Sequence, residues 1–229
     1  MPLKLLRLTL FLFSSAALAA TARAEQIYLY PATDFSGSSF EVNGDIPDLA
    51  KTPIAGKVAS LRARTGAWLL CNAPNFQGNC LWLAGAQISD LAPWGFAGAI
   101  RSVRLYQSDG PRFEWPTSLV MTPGDYDQHS LVIAQNNPDG GFTTLTDDTP
   151  NLATAGVKYP VDGFIITGSP IPNAWQLCTG PNFTGRCLTA VSSIDVMPQL
   201  FTDKIVSIRK LELFATSSGT PYIVSPQQR

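Results

Sequence analysis

Four cysteines are the residues best placed for chemistry in this 229-residue chain, and their spacing points to cross-linking. Cys71 and Cys80, and again Cys178 and Cys187, stand nine apart across the same Pro-Asn-Phe-x-Gly turn. In an antiparallel hairpin, facing residues keep a constant sum of numbers, so a Cys71–Cys80 pair also sets Leu69 opposite Trp82 and Ala73 opposite Gly78. Facing positions bring α-carbons to about 4.5–5.5 Å, within reach of a disulfide. Four cysteines allow three connectivities, and the two local bridges together are the expected one. Closing a loop of this size contributes about 2.5–3 kcal/mol in the chain-entropy picture, before strain. The spacing is not C-x-x-C and His129 is the only histidine, so a redox site or a zinc site with paired histidines is disfavoured.

Other reactive groups are sparse. His129 lies in the polar run Asp-Gln-His-Ser, residues 127–130, and reads as a surface residue. Nothing around Ser118, Ser130 or Ser193 forms a G-x-S-x-G nucleophile turn. Asp125, Asp127, Asp147, Asp148 and Asp162 sit in an irregular middle region, but sequence does not encode the carboxylate separation that glycoside cleavage needs. Phosphate-cradling glycine motifs are absent. The expectation is a protein that is not an enzyme. With 45% hydrophobic and 14% charged residues, disorder is excluded, and a formal charge of −1 gives no basic excess for nucleic acid.

Residues 1–24 read as a signal peptide: Lys4 and Arg7, an apolar stretch from Leu8 to Ala20, then Ala22-Arg23-Ala24 as a small-x-small cleavage site. Ser14 and Ser15 interrupt the apolar run, which is shorter than the roughly 20 residues a membrane span needs. Lys4, Arg7 and Arg23 leave with this stretch and no acid does, so the formal charge moves from −1 to −4. The mature chain is expected to be secreted or periplasmic, with no membrane span, in an oxidising compartment where the four thiols can pair.

The elements that carry the cysteines repeat. Trp68 to Leu81 (WLLCNAPNFQGNCL) and Trp175 to Leu188 (WQLCTGPNFTGRCL) share nine of fourteen residues at a constant offset of 107. A copy without cysteines, Ile27 to Phe40, keeps Phe35-Ser36-Gly37 beside Phe76-Gln77-Gly78 and Phe183-Thr184-Gly185. Each copy is followed by the same strand opening: Ser60-Leu61-Arg62, Ser102-Val103-Arg104 and Ser207-Ile208-Arg209. A period of about 40 residues with turn residues and period-2 alternation describes a unit of four short strands.

These residues resemble the Greek-key motif of the βγ-crystallin family, in which an aromatic residue is followed after four positions by Phe-x-Gly, and the last strand opens with Ser. Tyr30, Phe35, Gly37 and Ser60 fit fully; Phe76, Gly78, Ser102 and Phe183, Gly185, Ser207 fit with Cys71 and Cys178 at the aromatic place. In physical terms the Gly supplies a positive φ, the Phe covers the sheet edge, and the Ser hydroxyl ties the folded hairpin down. The remaining copy is degenerate: a worn hairpin from Val132 to Leu145, turning at Pro138-Asp139-Gly140-Gly141, lacks the Phe.

Many members of that family hold calcium in a loop before the last strand, with an acidic or amide pair and a hydroxyl at the fifth place, oxygen ligands suited to a hard cation. Aligned here are 55–60, 97–102, 162–167 and 202–207. Only Asp162 and Asp203 survive from the acidic pairs, and Ala59, Arg101, Ile166 and Val206 stand at the fifth place. Calcium binding is therefore expected to be weak at best, and no other cofactor is expected.

The resemblance implies an all-β protein of two βγ-crystallin-like Greek-key β-sandwich domains, 25–107 and 130–214, the second with a degenerate first motif. Residues 108–129 read as a linker or inserted loop and 215–229 as a flexible tail. The implied function is a secreted, non-catalytic structural or recognition module whose partner, a protein or a surface ligand, is not encoded. The alternative is a protein-binding effector, such as a protease inhibitor or a toxin-like protein, with Arg112, Phe113, Trp115 and Tyr126 as its contact surface. The preferred reading of those aromatics is a plug for the open end of the second sandwich.

Overall fold

The computed structural model describes residues 25–106, 129–135, 141–158, 160–167, 173–215 and 221–223. The expected signal segment 1–24, the four residues Arg112, Phe113, Trp115 and Tyr126, the turn 136–140 and most of the tail lie outside them. In chain order the strands are β1 (Ile27–Tyr30), β2 (Phe40–Val42), β3 (Ser60–Ala63), β4 (Ala67–Cys71), β5 (Cys80–Ala84), β6 (Gln87–Ile88) and β7 (Ser102–Tyr106), then β8 (Leu131–Gln135), β9 (Phe142–Leu145), β10 (Val161–Ile166), β11 (Asn173–Cys178), β12 (Cys187–Ala190), β13 (Ser207–Ala215) and β14 (Pro221–Ile223). Three 3-10 turns complete the regular structure, and among the described residues no helix is long and apolar enough to cross a membrane.

Alternation sets the strands. In β1, Ile27 and Leu29 are buried while Tyr28 and Tyr30 are only half-buried, the period-2 pattern of a sheet with one wet face. Among the described residues three sheets result, in the orders β2-β1-β3-β6, β10-β8-β9 and β14-β13-β11-β12-β5-β4-β7. Each Greek key hands its third strand to its neighbour: β6 of the second copy pairs with β3 of the first, and Ile46 of the first copy bridges Val103 in β7. The C-terminal half repeats the exchange, with Thr149 bridging Ile208 and Ile194 bridging Phe164. The architecture is all-β, as expected of Greek-key sandwiches.

The hairpins have the register that the cysteine spacing requires. Cys71 faces Cys80 and Leu69 faces Trp82; Cys178 faces Cys187 and Gln176 faces Thr189. The worn hairpin of the third copy is present as β8 against β9, Ala134 facing Phe142. One departure concerns the tail: residues 221–223 pair with the end of β13, because that strand runs on to Ala215 and leaves its backbone groups open to a partner.

The two sandwiches share one sheet. β5 and β12 pair in parallel, with Leu188 beside Cys80, Thr189 beside Leu81 and Ala190 beside Trp82. Partners in a sheet point to the same face, so Leu188 and Ala190 side with Cys80 and Trp82. Leu70, Leu81 and Leu83 point the other way, into the first core with Ile27, Leu29 and Leu61. The second core gathers Leu131, Ile133, Phe164, Trp175, Leu188 and Ile208, and it also takes Leu69, Cys71, Phe76, Cys80 and Trp82 from the first copy pair. The four-stranded sheet therefore covers one face of the seven-stranded sheet, and the three-stranded sheet covers the opposite face.

Candidate functional site

The repeated folded hairpins are the positions where sequence and geometry converge most strongly. In each, two consecutive non-glycine residues take left-handed backbone conformations: Asp34 and Phe35 (φ 53° and 59°), Asn75 and Phe76 (54° and 60°), Asn182 and Phe183 (52° and 61°). Asp and Asn tolerate this region; a Phe there costs about 1–3 kcal/mol unless its surroundings hold it. Gly37, Gly78 and Gly185 follow two residues later at φ 84°, 79° and 77°.

The serine supplies the hold. Ser60 accepts a hydrogen bond from Phe35 N–H (3.1 Å) and donates to Ala32 O (2.6 Å). Ser102 does the same with Phe76 N–H (3.0 Å) and Ala73 O (2.7 Å), and Ser207 with Phe183 N–H (2.9 Å) and Gly180 O (2.6 Å). Each hydroxyl is thus committed to the strained backbone it clamps. The Ser-x-Arg triplet carries a role for its arginine that the sequence pattern alone does not assign. Arg62 lies over the Phe35 ring at 4.1 Å, Arg104 over Phe76 at 3.9 Å and Arg209 over Phe183 at 5.6 Å, closing the outer side of each hairpin with a cation–π stack. The signal was available: Arg recurs two residues after every one of the three serines.

Both disulfides are formed, Cys71–Cys80 and Cys178–Cys187, each with α-carbons 4.1 Å apart. Asn72 N–H donates to Asn79 O beside the first bridge, which puts the cysteines on the closely spaced, non-hydrogen-bonded register.

The third copy lacks this machinery. Ser60, Ser102 and Ser207 face Tyr30, Cys71 and Cys178; the corresponding position is Val161, which faces Gln135. The loop alignment that placed 162–167 before a last strand is corrected accordingly, since Asp162 lies inside β10. On the register set by Val161 the counterpart of 55–60 ends at 161, and the 3-10 turn before it matches that of the first copy. Asn151 caps a 3-10 turn as Asp48 does in the first copy, and Leu152 N–H donates to Val206 O as Leu49 N–H donates to Arg101 O. The misreading arose because a Gly followed by alternating aliphatic residues occurs in both settings. Gly163 is small for a different reason: a Cβ there would meet the carbonyl oxygens of Ile194 and Asp195 at 2.7 and 2.8 Å. Thr167 instead hydrogen-bonds to Ser130, hydroxyl to hydroxyl at 2.6 Å, at the far end of the β8–β10 ladder.

Asp162 lies within electrostatic range of Asp203. Burial, and secondarily the Asp203 carboxylate, push the Asp162 carboxyl above the ordinary carboxylate range. Among the described residues no group of three or more His, Cys, Asp or Glu is gathered closely enough to hold a metal ion. His129 lies half-buried just before β8, next to the buried Ser130.

A β sandwich with third strands exchanged between paired Greek keys, three of the four pinned by a serine-clamped hairpin, defines the class of protein. A family model described as Beta/Gamma crystallin matches residues 26–106. Gamma-crystallin B of Canis lupus familiaris is 35% identical over 162 residues, covering 70% of this chain and 81% of that protein, and gamma-crystallin B of Bos taurus is 26% identical with the same coverage. A solved βγ-crystallin from an archaeon is 25% identical, covering 37% of this chain and 100% of that one, with a TM-score of 0.34. The chain belongs to the βγ-crystallin family.

Proposed function

We propose that the chain is an exported, non-catalytic βγ-crystallin module with a structural or recognition role, built as domains 25–107 and 130–214 around a linker at 108–129. The observation that carries this reading is the use made of the polar groups at the hairpins. The three motif serines clamp backbone, the four thiols are bridged, and the three arginines stack on phenylalanines. Groups committed to the fold in this way are not poised as nucleophiles or proton donors. Export is supported by the paired thiols and by the leader-like 1–24 segment. The fold alone does not set the task, because one sandwich serves many.

The test is expression of the full chain in a host that secretes or exports to a periplasm, followed by N-terminal sequencing and affinity capture from the native extracellular fraction. A mature protein beginning at Glu25, without titratable thiol and with a reproducible non-substrate partner or a purely stabilising role, supports the reading. Retention of the leader in the cytoplasm, or turnover of a captured ligand, overturns it. Calcium binding belongs to the same test: calorimetric titration with CaCl₂ is expected to show no micromolar binding heat.

A further inference from the structure

The Cys71–Cys80 bridge is made in one half of the molecule and packs in the other. Both sulfurs lie on the face of the shared sheet that belongs to the second core, with Leu69, Phe76 and Trp82, while Leu70, Leu81 and Leu83 of the same hairpin serve the first core. The turn that the bridge closes also supplies the contacts to the second half. Gln77 Oε1 accepts from Arg186 Nη2 at 2.7 Å, Asn79 Oδ1 accepts from Cys187 N–H at 2.9 Å, and the parallel ladder starts at Cys80 against Leu188. The equivalent bridge, Cys178–Cys187, joins neither core.

We propose that Cys71–Cys80 is a redox-sensitive strut of the C-terminal half, so that its reduction loosens β8, β10 and β12 although they contain none of its atoms. The reductant is a dithiol: it delivers two electrons and two protons, the S–S bond becomes two thiols, and the dithiol closes to its own disulfide. Two freed thiols no longer hold the 72–79 turn in the register that presents Gln77 and Asn79, and the packing of the sulfurs against the second core is lost with it.

The experiment uses the full mature chain carrying Cys178→Ala and Cys187→Ala, which leaves Cys71–Cys80 as the one reducible bridge. Amide hydrogen exchange is followed by peptide mass spectrometry before and after treatment with dithiothreitol. Exchange in peptides covering 131–135 and 161–166 is expected to rise about threefold or more on reduction, as local opening becomes easier. A smaller rise there, with the change kept within residues 25–106, overturns the proposal. Should that variant not fold, the Cys71→Ala/Cys80→Ala chain with its second bridge intact is compared with wild type by the same readout and the same threshold.

Discussion

The two disulfide hairpins are nine-fourteenths identical, yet the outer faces they present differ in kind. In the first, Leu69 faces Trp82, and both are buried as part of the second core. At the equivalent places 107 residues on, Gln176 faces Thr189 and their side chains hydrogen-bond at 3.3 Å, while Arg209 Nε donates to Gln176 Oε1 at 2.8 Å. From the second half, Ala174 and Leu211 join the first core, with the half-buried Val191 packed against it. One facing pair of residues therefore decides which hairpin becomes a floor for its neighbour. Hairpin shape survives duplication because it needs only the turn, the serine and the bridge; the assembly depends on positions the turn leaves free.

Trp82→Ala attacks that asymmetry most directly. It removes the indole from the second core, its hydrogen bond to Ser193 O and its edge-to-face packing on Tyr106, whose centroid lies 4.9 Å away. A loss of about 3–5 kcal/mol is expected in urea denaturation, against under about 1 kcal/mol for Thr189→Ser. Leu69→Gln copies the second hairpin's residue into the first, where the amide would face Trp82 on one side and, on the other, an Arg104 whose Nε is already held by Asp45. It should cost about 2–4 kcal/mol, and an unchanged denaturation midpoint would show that the face is wetter than its burial indicates.

The clamps rank next. Ser207→Ala leaves Phe183 N–H and Gly180 O without their partner, for an expected loss of about 1–3 kcal/mol, whereas Val161→Ser in the unclamped third copy should not stabilise. A gain there would mean that the third hairpin retains the serine's targets. Arg62→Met keeps length and removes charge over the Phe35 ring; about 0.5–1 kcal/mol is expected by thermal denaturation.

The smallest effect is one of pH. A carboxyl raised in the folded state holds its proton there longer than in the unfolded chain, so stability falls as pH rises from the ordinary Asp value through the raised one. Asp162→Asn should remove that fall, leaving the variant relatively more stable at neutral pH than in acid when both are melted across the range. An identical pH profile for the two proteins would show that the burial of Asp162 and its repulsion by Asp203 have no energetic weight.

Much of the hairpin geometry was legible because it is local. Turn residues, cysteine spacing and the facing register all lie within fourteen residues. The arginine stacks were not read, since Arg62 and Phe35 are 27 positions apart and only the folded hairpin brings them together. The third copy was placed correctly as β8 and β9 but aligned wrongly at its last strand, because it keeps the aliphatic rhythm without the Tyr, Phe and Ser that would have anchored it. The shared sheet does leave one mark in the sequence. Trp68-Leu69-Leu70-Cys71 and Cys80-Leu81-Trp82-Leu83 are apolar without alternation, the mark of strands covered on both faces.

The sequence by itself determined the repeating unit, the two hairpin bridges and the left-handed turns, because each depends on side chains acting on backbone a few residues away. Only the tertiary structure decided which copies exchange strands, that β5 meets β12 in parallel, and which sandwich each face of that sheet serves. Edge pairing is made by backbone groups common to every residue, so no side-chain pattern announces the partner. The choice falls to whichever arrangement buries Leu69 and Trp82 while leaving Gln176 and Arg209 their hydrogen bonds.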